Sequence, residues 1–243
     1  MSERGDDGIQ NCVCHFQLAI PEPDGSWSDV RLNLERIQRE HRSDWSLRYD
    51  PQSFGSANLR CEARSLGLKN VAALLFSTGK IVCPGPSSVE GSLVHARLIT
   101  SLIERVLGAP FDMRNFHITN IVAKIRLAPI DLAAMSRTLG DALSTYGNYG
   151  PTPFPACFVF PHKYDPEPDP VVYLCFATGM VVITGCKTTE QVEANRREAR
   201  AICEQFPLSA EPGRPALEPP DEVLMLDALD PAYEKIGGDL ALF

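Results

Sequence analysis

The histidines, and a lysine that follows a glycine turn, are the side chains whose types could support catalysis. A Ser-Thr-Gly-Lys stretch ends at Lys80, but Ile81 follows and no glycine stands five residues before Gly79, so the sequence lacks a nucleotide-binding phosphate loop. Metal or nucleophilic chemistry would need partner side chains at set spacings. The five histidines show no such pattern: His15, His41, His95, His117 and His162. The sequence therefore predicts a protein that is not an enzyme, with His117 as an ordinary strand residue.

Eight cysteines are the next group that could do chemistry. No Cys-x-x-Cys pair occurs, and Cys12 and Cys14 flank a single residue, which is too close for a usual pair of zinc ligands. Others, such as Cys157, Cys175 and Cys203, lie in apolar runs. We predict buried, reduced thiols inside a cell, with disulfides as the less favoured alternative, and no metal and no cofactor. A soluble protein is expected, since no signal peptide opens the chain and no apolar run reaches the roughly 18 residues that span a bilayer.

The formal net charge of −8 is unevenly distributed. From Pro207 onward eight acidic residues stand against Arg214 and Lys235, a net charge of −6, so the rest of the chain carries only −2. A nearly neutral body neither requires nor excludes a polyanionic partner such as nucleic acid. With 243 residues, 44% of them hydrophobic, the chain can form one large core or two small ones.

One stretch of twelve residues occurs twice, at 74–85 and 100 residues later at 174–185. Each copy has two β-rich runs around a Thr-Gly turn, which is the pattern of a β-hairpin. Two copies predict two half-domains related by a pseudo-twofold axis. Six positions are identical: Leu74/Leu174, Phe76/Phe176, Thr78/Thr178, Gly79/Gly179, Val82/Val182 and Gly85/Gly185.

Alternation within the hairpin predicts that both of its faces are apolar. Such a strand is either sandwiched, or it covers a core with one face and offers the other to a partner. Each half of the chain reads as a strand, a short helix, several strands and a long helix. Four helices can cover only one side of ten or so strands, so we predict an α+β fold whose other apolar face is open. Leu74, Phe76 and Val82 should share one face, and Ala73, Leu75, Ile81 and Cys83 the other.

Composition sets the predicted domain boundaries. Residues 1–8 are polar and expected to be disordered. The first repeat is predicted over 9–110 and the second over 111–206. An acidic C-terminal tail follows at 207–243.

Helix ends are predicted from residues that satisfy unpaired backbone groups. Residues 30–41 should form a short amphipathic helix capped by Ser28 or Asp29. The long helix after the first hairpin should begin at Ser87 or Ser88. The remaining end signals are Gly108, which stops that helix, and the capping box of Thr188 with Gln191 at the start of the second long helix.

Three motifs occur in both halves: the hairpin pattern F-x-x-G-K/M-x-V-x-x-G, the turn Y-x-P-x-x-F at 49–54 and 149–154, and the strand pattern Asn-x-Val. Together they resemble the TATA-box-binding protein family over about residues 9–206. The resemblance implies two pseudo-repeats that form a saddle-shaped, curved antiparallel sheet with helices on the convex face. It also implies a transcription initiation factor that binds and bends A·T-rich DNA through the minor groove, and nucleates assembly of the pre-initiation complex.

The resemblance also implies which residues contact DNA. Phenylalanines of this family insert as apolar wedges between base steps, and central asparagines meet the acceptors of A·T pairs. Aliphatic residues line the groove, a threonine meets base edges, and basic residues meet phosphates. The corresponding residues here are Asn11, Val13, Phe54, Arg60, Leu74, Phe76, Lys80, Val82, Asn120, Val122, Phe154, Leu174, Phe176, Val182 and Thr184.

Several positions depart from the family pattern and mark a divergent member, either cellular or virus-borne. Pro84 replaces the threonine of the first repeat, which removes a hydroxyl and a backbone N–H. Ser53, Phe160 and Met180 stand where the family usually has arginine or lysine, so fewer phosphate contacts are expected.

The partner surfaces implied by the family are also altered. The helix at 88–107 has Arg97, Arg105 and His95, whereas the family's markedly basic helix meets general transcription factor A. The turn at 149–154 lacks the acidic residues that the family presents to factor B. An alternative function is therefore a protein-binding module that sequesters or bridges transcription factors with little DNA affinity.

The tail at 207–243 has no counterpart in the family core. It mixes acids with apolar residues such as Leu226, Tyr233 and Phe243. It is either a disordered acidic end, or it lies across the saddle or recruits a protein. Besides contact of the tail with the saddle, a homodimer is the second kind of self-association expected. The nucleus is the expected location, or a viral transcription compartment if the chain is virus-borne.

Overall fold

The computed structural model describes residues 8–40, 45–52, 55–63, 68–146, 155–161 and 171–208. Within these ranges the chain forms eleven strands and four helices. No helix among them is long and apolar enough to cross a membrane. The strands are β1 (Gly8–Pro21), β2 (Trp27–Asp29), β3 (Trp45–Arg48), β4 (Ser56–Ala63), β5 (Leu68–Phe76), β6 (Lys80–Cys83), β7 (Asp112–Arg126), β8 (Ser144–Tyr146), β9 (Ala156–Val159), β10 (Val172–Phe176) and β11 (Met180–Cys186). The helices are α1 (Leu34–Glu40), α2 (Val89–Leu107), α3 (Leu132–Leu143) and α4 (Thr189–Cys203).

The chain divides into two compact units, Ile9–Ile121 and the residues from Val122 onward. In the first unit the strands lie in the order β3-β4-β5-β6-β1-β7, with β2 paired to β1. In the second unit the order is β7-β11-β10-β9-β8, so β7 supplies residues to both. The repeated stretch is a hairpin in both units, because β5 pairs antiparallel with β6 and β10 with β11.

The core of the first unit lies between one face of its strands and helices α1 and α2. Ile81 and Leu75 are fully buried there and belong to the same cluster as Ile99 and Ile103 of α2. This is the face that the hairpin alternation assigns to Ala73, Leu75, Ile81 and Cys83, and all four are in the cluster. The predicted assignment of side chains to faces is therefore confirmed.

Three of the predicted helix ends are confirmed and one is wrong. Ser88 caps α2 by accepting a hydrogen bond from the Gly91 N–H at 2.9 Å, and Gly108 ends that helix in the left-handed conformation. Thr188 accepts from the Gln191 N–H at 3.1 Å at the start of α4. The first short helix is not capped by Ser28 or Asp29. It begins later, at Leu34, because Asn33 Oδ1 accepts the Arg36 N–H at 2.9 Å.

In the second unit α4 is fixed to β10 by a buried polar contact. The hydroxyl of the fully buried Tyr173 lies 2.7 Å from Asn195 Oδ1 and 3.1 Å from Glu198 Oε2 of α4. Two residues further along β10, Cys175 Sγ lies 3.6 Å from Cys203 Sγ, with no disulfide between them. Odd-numbered side chains of β10 therefore face the helix, and even-numbered ones face the opposite side of the sheet.

The two hairpin turns use glycine at the same repeat position. Gly79 has φ +83° and Gly179 has φ +87°, a left-handed conformation that other residues rarely adopt. Each glycine carbonyl accepts a hydrogen bond from a neighbouring backbone segment. The Leu18 N–H donates to Gly79 O at 3.0 Å, and the Leu127 N–H donates to Gly179 O at 2.8 Å. The close approach leaves no room for a side chain, since a Cβ at Gly179 would overlap the carbonyl oxygens of Leu127 and Ala128.

This close approach gives a stability prediction. Gly179→Ala should destabilise the protein by about 3 kcal/mol, since backbone strain and a clash with rigid backbone oxygens add together. Gly108→Ala is the matched control, because Gly108 also has positive φ but a Cβ added there would meet no atom within 4 Å. Its loss should be only about 1 kcal/mol. Urea unfolding of the two variants measures the difference, and equal losses would show that the close approach does not matter.

Candidate nucleic-acid interface

The side of the first unit's sheet that faces away from α1 and α2 is here called the first-repeat face. The strand register aligns four of its residues in one row across β1, β6, β5 and β4. His15 lies opposite Val82, Val82 opposite Leu74, and Leu74 opposite Asn58. Leu74 is half-buried and Asn58 is exposed, whereas Val82 is buried. The row is therefore partly accessible and combines apolar side chains with polar ends.

Two neighbouring rows complete this face. Phe76 lies opposite Ser56, and Lys80 lies opposite Gln17. Phe76 and Lys80 are both half-buried. On the other side of the central row, Arg60 lies opposite Ala72 and its side chain is exposed. A wedge-type aromatic residue and two cations thus share the first-repeat face with Leu74.

Asn11 is held in a defined orientation at the start of β1. Its Oδ1 accepts a hydrogen bond from the Gly85 N–H at 2.7 Å. The assignment of the amide follows from this contact, because only the oxygen can accept from a backbone N–H. The side-chain nitrogen is therefore directed away from Gly85, and it presents donors only. Val13, two residues on, is buried, and its carbonyl accepts from Thr119 Oγ1 at 3.2 Å.

The corresponding side of the second unit's sheet, opposite α4, is here called the second-repeat face. Eight of its apolar side chains form one cluster, and each of the eight is at most 9% exposed. Val182 lies opposite Leu174, and Leu174 opposite Phe158, in the same row pattern as in the first unit. The members of the cluster are Val122, Ala156, Phe158, Val172, Leu174, Phe176, Met180 and Val182.

The two faces differ at repeat-related positions in both residue type and burial. Phe158 and Phe160 stand where the first repeat has the exposed Asn58 and Arg60. At four further repeat-related positions the residue of the first repeat is half-buried, whereas its counterpart in the second repeat is at most 5% exposed. These pairs are Ala72/Val172, Leu74/Leu174, Phe76/Phe176 and Lys80/Met180. The expectation of an open apolar face thus suits the first repeat and not the second, where the related apolar residues are buried.

The remaining residues predicted to contact DNA are placed as follows. Asn120 of β7 is buried, and Thr184 is buried opposite Val172. Phe54 and Phe154, the first members of the two predicted wedge pairs, lie outside the described residues. So does the tail beyond Leu208.

A pair of histidines on the first unit's sheet was missed by the sequence analysis. The rings of His15 and His117 meet edge to face with their centroids 3.8 Å apart. Burial, together with the charges of His117 and Lys80, lowers the pKa of His15 to about 4. No motif could reveal this pair, because the two residues are brought together by strand pairing and not by spacing in the sequence.

Comparison with known proteins identifies the family. The family model for transcription factor TFIID, or TATA-binding protein (TBP), matches residues 8–106 and 115–206. TATA-box-binding protein 2 of Entamoeba histolytica is 31% identical over 184 residues, covering 76% of this chain and 74% of that protein. TATA-box-binding protein 1 of Triticum aestivum is 30% identical over 167 residues, covering 68% and 64%. The chain belongs to the TBP family.

The TBP of Methanococcus jannaschii shows the same fold in a solved structure. It aligns with a TM-score of 0.57 at 23% identity, covering 83% of this chain and 99% of that one. The predicted α+β fold class is thereby confirmed, as is the recognition of the family. TBP-family proteins are DNA-binding transcription factors without enzymatic activity, so the prediction that this chain is not an enzyme is confirmed too.

The lowered pKa of His15 predicts a pH-dependent stability. In the unfolded chain a histidine gains its proton near pH 6.5, whereas folded His15 stays neutral down to about pH 4. The contribution of His15 to the free energy of unfolding should therefore be fully present above pH 6.5 and decline as the pH falls from 6.5 towards 4. Between pH 7 and pH 5 the wild type should lose about 1 kcal/mol more than His15→Gln, since solvent screens part of the effect at this half-buried ring.

Urea unfolding at the two pH values measures this difference. His95, whose pKa is also lowered by burial, is present in both proteins. It therefore contributes the same dependence of the unfolding free energy on pH to both. Equal slopes for the wild type and His15→Gln would contradict the assignment.

Proposed function

We propose that this protein binds and bends A·T-rich duplex DNA through its minor groove and nucleates assembly of a transcription initiation complex. The observation that carries the proposal is the orientation of Asn11. The Gly85 N–H engages its carbonyl, so the amide offers donors beside an apolar sheet face. In the minor groove an A·T pair presents only acceptors, whereas a G·C pair adds a donor. An amide whose oxygen is engaged and whose two N–H donors point elsewhere, among apolar side chains, thus suits A·T pairs.

The apolar residues of the first-repeat face fit a deformed groove. Leu74 and Phe76 are half-buried in the protein, so part of each side chain remains to contact a ligand. Aliphatic side chains can meet base edges only where the minor groove is opened and flattened. An aromatic wedge that enters a base step produces that opening, and flexible pyrimidine–purine steps reduce its energetic cost.

Affinity should depend only weakly on salt. Arg48, Arg60 and Lys80 are described cations that lie on the first-repeat face. Each phosphate neutralised contributes about −0.9 to the slope of log K against log salt concentration, so these three give a slope of about −3. The second-repeat face has Phe160 and Met180 where the first repeat has Arg60 and Lys80, so its cations are instead Lys124 and Arg126, which alternate with Val122 along β7.

The proposed role places the protein in the nucleus, or in a viral transcription compartment if the chain is virus-borne. Its protein partners would be the RNA polymerase machinery and transcription factors of the A and B type. The surface for factor A would be α2, where Ser88 and Gly108 define a helix of 19 residues. A homodimer formed through the sheet faces is a competing state that DNA would have to displace.

A second function, bridging or sequestering transcription factors with little DNA affinity, is favoured by one observation. The second-repeat face is predominantly apolar and buried, with Phe158 and Met180 in place of polar and basic residues. Such a face suits a polypeptide better than a phosphate backbone. Comparing A·T and G·C duplexes separates the two functions.

Phe76→Ala should remove most of the preference for an A·T-rich site. The wild type should bind a TATA-containing duplex at least tenfold more tightly than a G·C-scrambled one, and the variant should lose about 2 kcal/mol on the TATA duplex. Fluorescence anisotropy over a range of salt measures both affinities. Val94→Ala is the control, because Val94 is an exposed apolar residue of α2. If the wild type shows no preference for the TATA duplex, the bridging function replaces DNA binding.

Asn11→Asp tests the donor directly. Aspartate has the same size and can still accept the Gly85 N–H, so the fold should be retained. It removes the donors and adds a negative charge, and affinity for the TATA duplex should fall about a hundredfold. Unfolding in urea checks that stability is unchanged. A stable variant with wild-type affinity would exclude Asn11 from the interface.

A further inference from the structure

The second-repeat face is buried although strands alone contribute to it. All eight members of its cluster belong to β7, β9, β10 and β11, and none belongs to the described helices. Helix α4 lies on the other side of the sheet, where it contacts Tyr173 and Cys175. The half-buried apolar residue that packs against the cluster from within the described ranges is Phe160.

A single sheet layer cannot bury its own face to this degree, since side chains on an uncovered face remain in contact with water. The first repeat provides the internal comparison. Its related side chains Leu74 and Phe76 have the same strand register and are only half-buried. The described strands and helices therefore do not account for the burial of the second-repeat face.

The apolar content of the sequence favours one covering segment. The short segments outside the described ranges each have at most two large apolar residues: Met1 in 1–7, none in 41–44, Phe54 in 53–54, Leu66 in 64–67, Tyr149 and Phe154 in 147–154, and Tyr164 in 162–170. Residues 209–243 instead contain many large apolar side chains, among them Leu224, Leu226, Leu229, Ile236, Leu240 and Phe243. Burying eight apolar side chains requires an apolar surface of comparable size on the other side.

The point where the described chain ends also favours this segment. The Leu208 N–H donates to Pro129 O at 2.9 Å, and the neighbouring Ile130 N–H donates to Ala177 O at 3.0 Å. Ala177 directly follows Phe176, a member of the second-repeat face. The tail thus starts at the edge of that face. Its 35 residues could extend to about 115 Å, whereas five strands are only about 20 Å wide.

We propose that residues 209–243 dock on the second-repeat face of the same chain and leave it when duplex DNA binds. The apolar residues of the tail fill the face, and its net charge of −6 repels an approaching phosphate backbone. The second half of this proposal, displacement by DNA, rests on the proposed function. The first half, docking of the tail, does not.

Photo-crosslinking in the full chain tests the docking. Leu226, Leu229 and Tyr233 are replaced one at a time by p-benzoylphenylalanine, which leaves the described core untouched. Irradiation should give products of monomer mass that join the tail to peptides within 156–186. The repeat-related peptides within 56–86 are the internal control and should remain unlabelled. Products with 56–86 only, products of dimer mass only, or no products would overturn the docking.

DNA affinity tests the displacement. A full-length variant with Leu226→Ser, Leu229→Ser and Tyr233→Ser should bind the TATA duplex about tenfold more tightly, as expected if the wild-type face is open in about a tenth of molecules. Val94→Ser, on the exposed side of α2, should change nothing. Excess TATA duplex should also suppress the crosslinks of the wild-type tail.

The two proposals fail in distinguishable ways. Crosslinks to 156–186 without duplex binding by either protein would uphold the docking and overturn the DNA-binding function. Equal duplex affinity in the wild type and the serine variant, with no crosslinks, would overturn the docking and uphold DNA binding.

Discussion

The apolar character of both faces of the strands is the constraint on which the rest of this structure depends. Helices cover one face of each sheet, as Ile99 and Ile103 do over Leu75 and Ile81 in the first unit. The other face is also apolar, and a large apolar surface exposed to water is energetically unfavourable unless a partner covers it. A protein of this design therefore needs a ligand or a covering segment for the remaining face. Function follows from what occupies it.

The two repeats meet this constraint differently. The first-repeat face keeps polar and basic side chains, such as Asn58, Arg60 and Lys80, around its half-buried apolar residues. The second-repeat face has exchanged them for Phe158, Phe160 and Met180 and is buried. One duplicated scaffold thus presents one face suited to a charged, grooved ligand and one suited to polypeptide. Recognition of DNA should accordingly be led by the first repeat.

Much of the fold could be predicted from the sequence because its signals are local or repeated. The hairpins follow from the doubled stretch around Gly79 and Gly179, and the long helices from the caps at Ser88 and Thr188. The cap of α1 was misassigned, because Ser28, Asp29 and Asn33 are equally capable acceptors and tertiary contacts choose among them. Burial of Leu174 and Phe176 could not be predicted, since the same residue types in the first repeat are half-buried. The contact between His15 and His117 likewise depends on strand pairing alone.

Inosine substitution tests the central claim most directly, that the protein reads A·T pairs through the minor groove. An inosine·cytosine pair matches A·T in the minor groove, because inosine lacks the amino group of guanine, but it matches G·C in the major groove. Affinities are measured for a TATA duplex, its fully inosine·cytosine counterpart and its G·C counterpart. We expect the inosine·cytosine duplex to bind within about threefold of the TATA duplex, and the G·C duplex to bind at least tenfold more weakly. An inosine·cytosine duplex that binds as weakly as the G·C duplex would contradict minor-groove recognition.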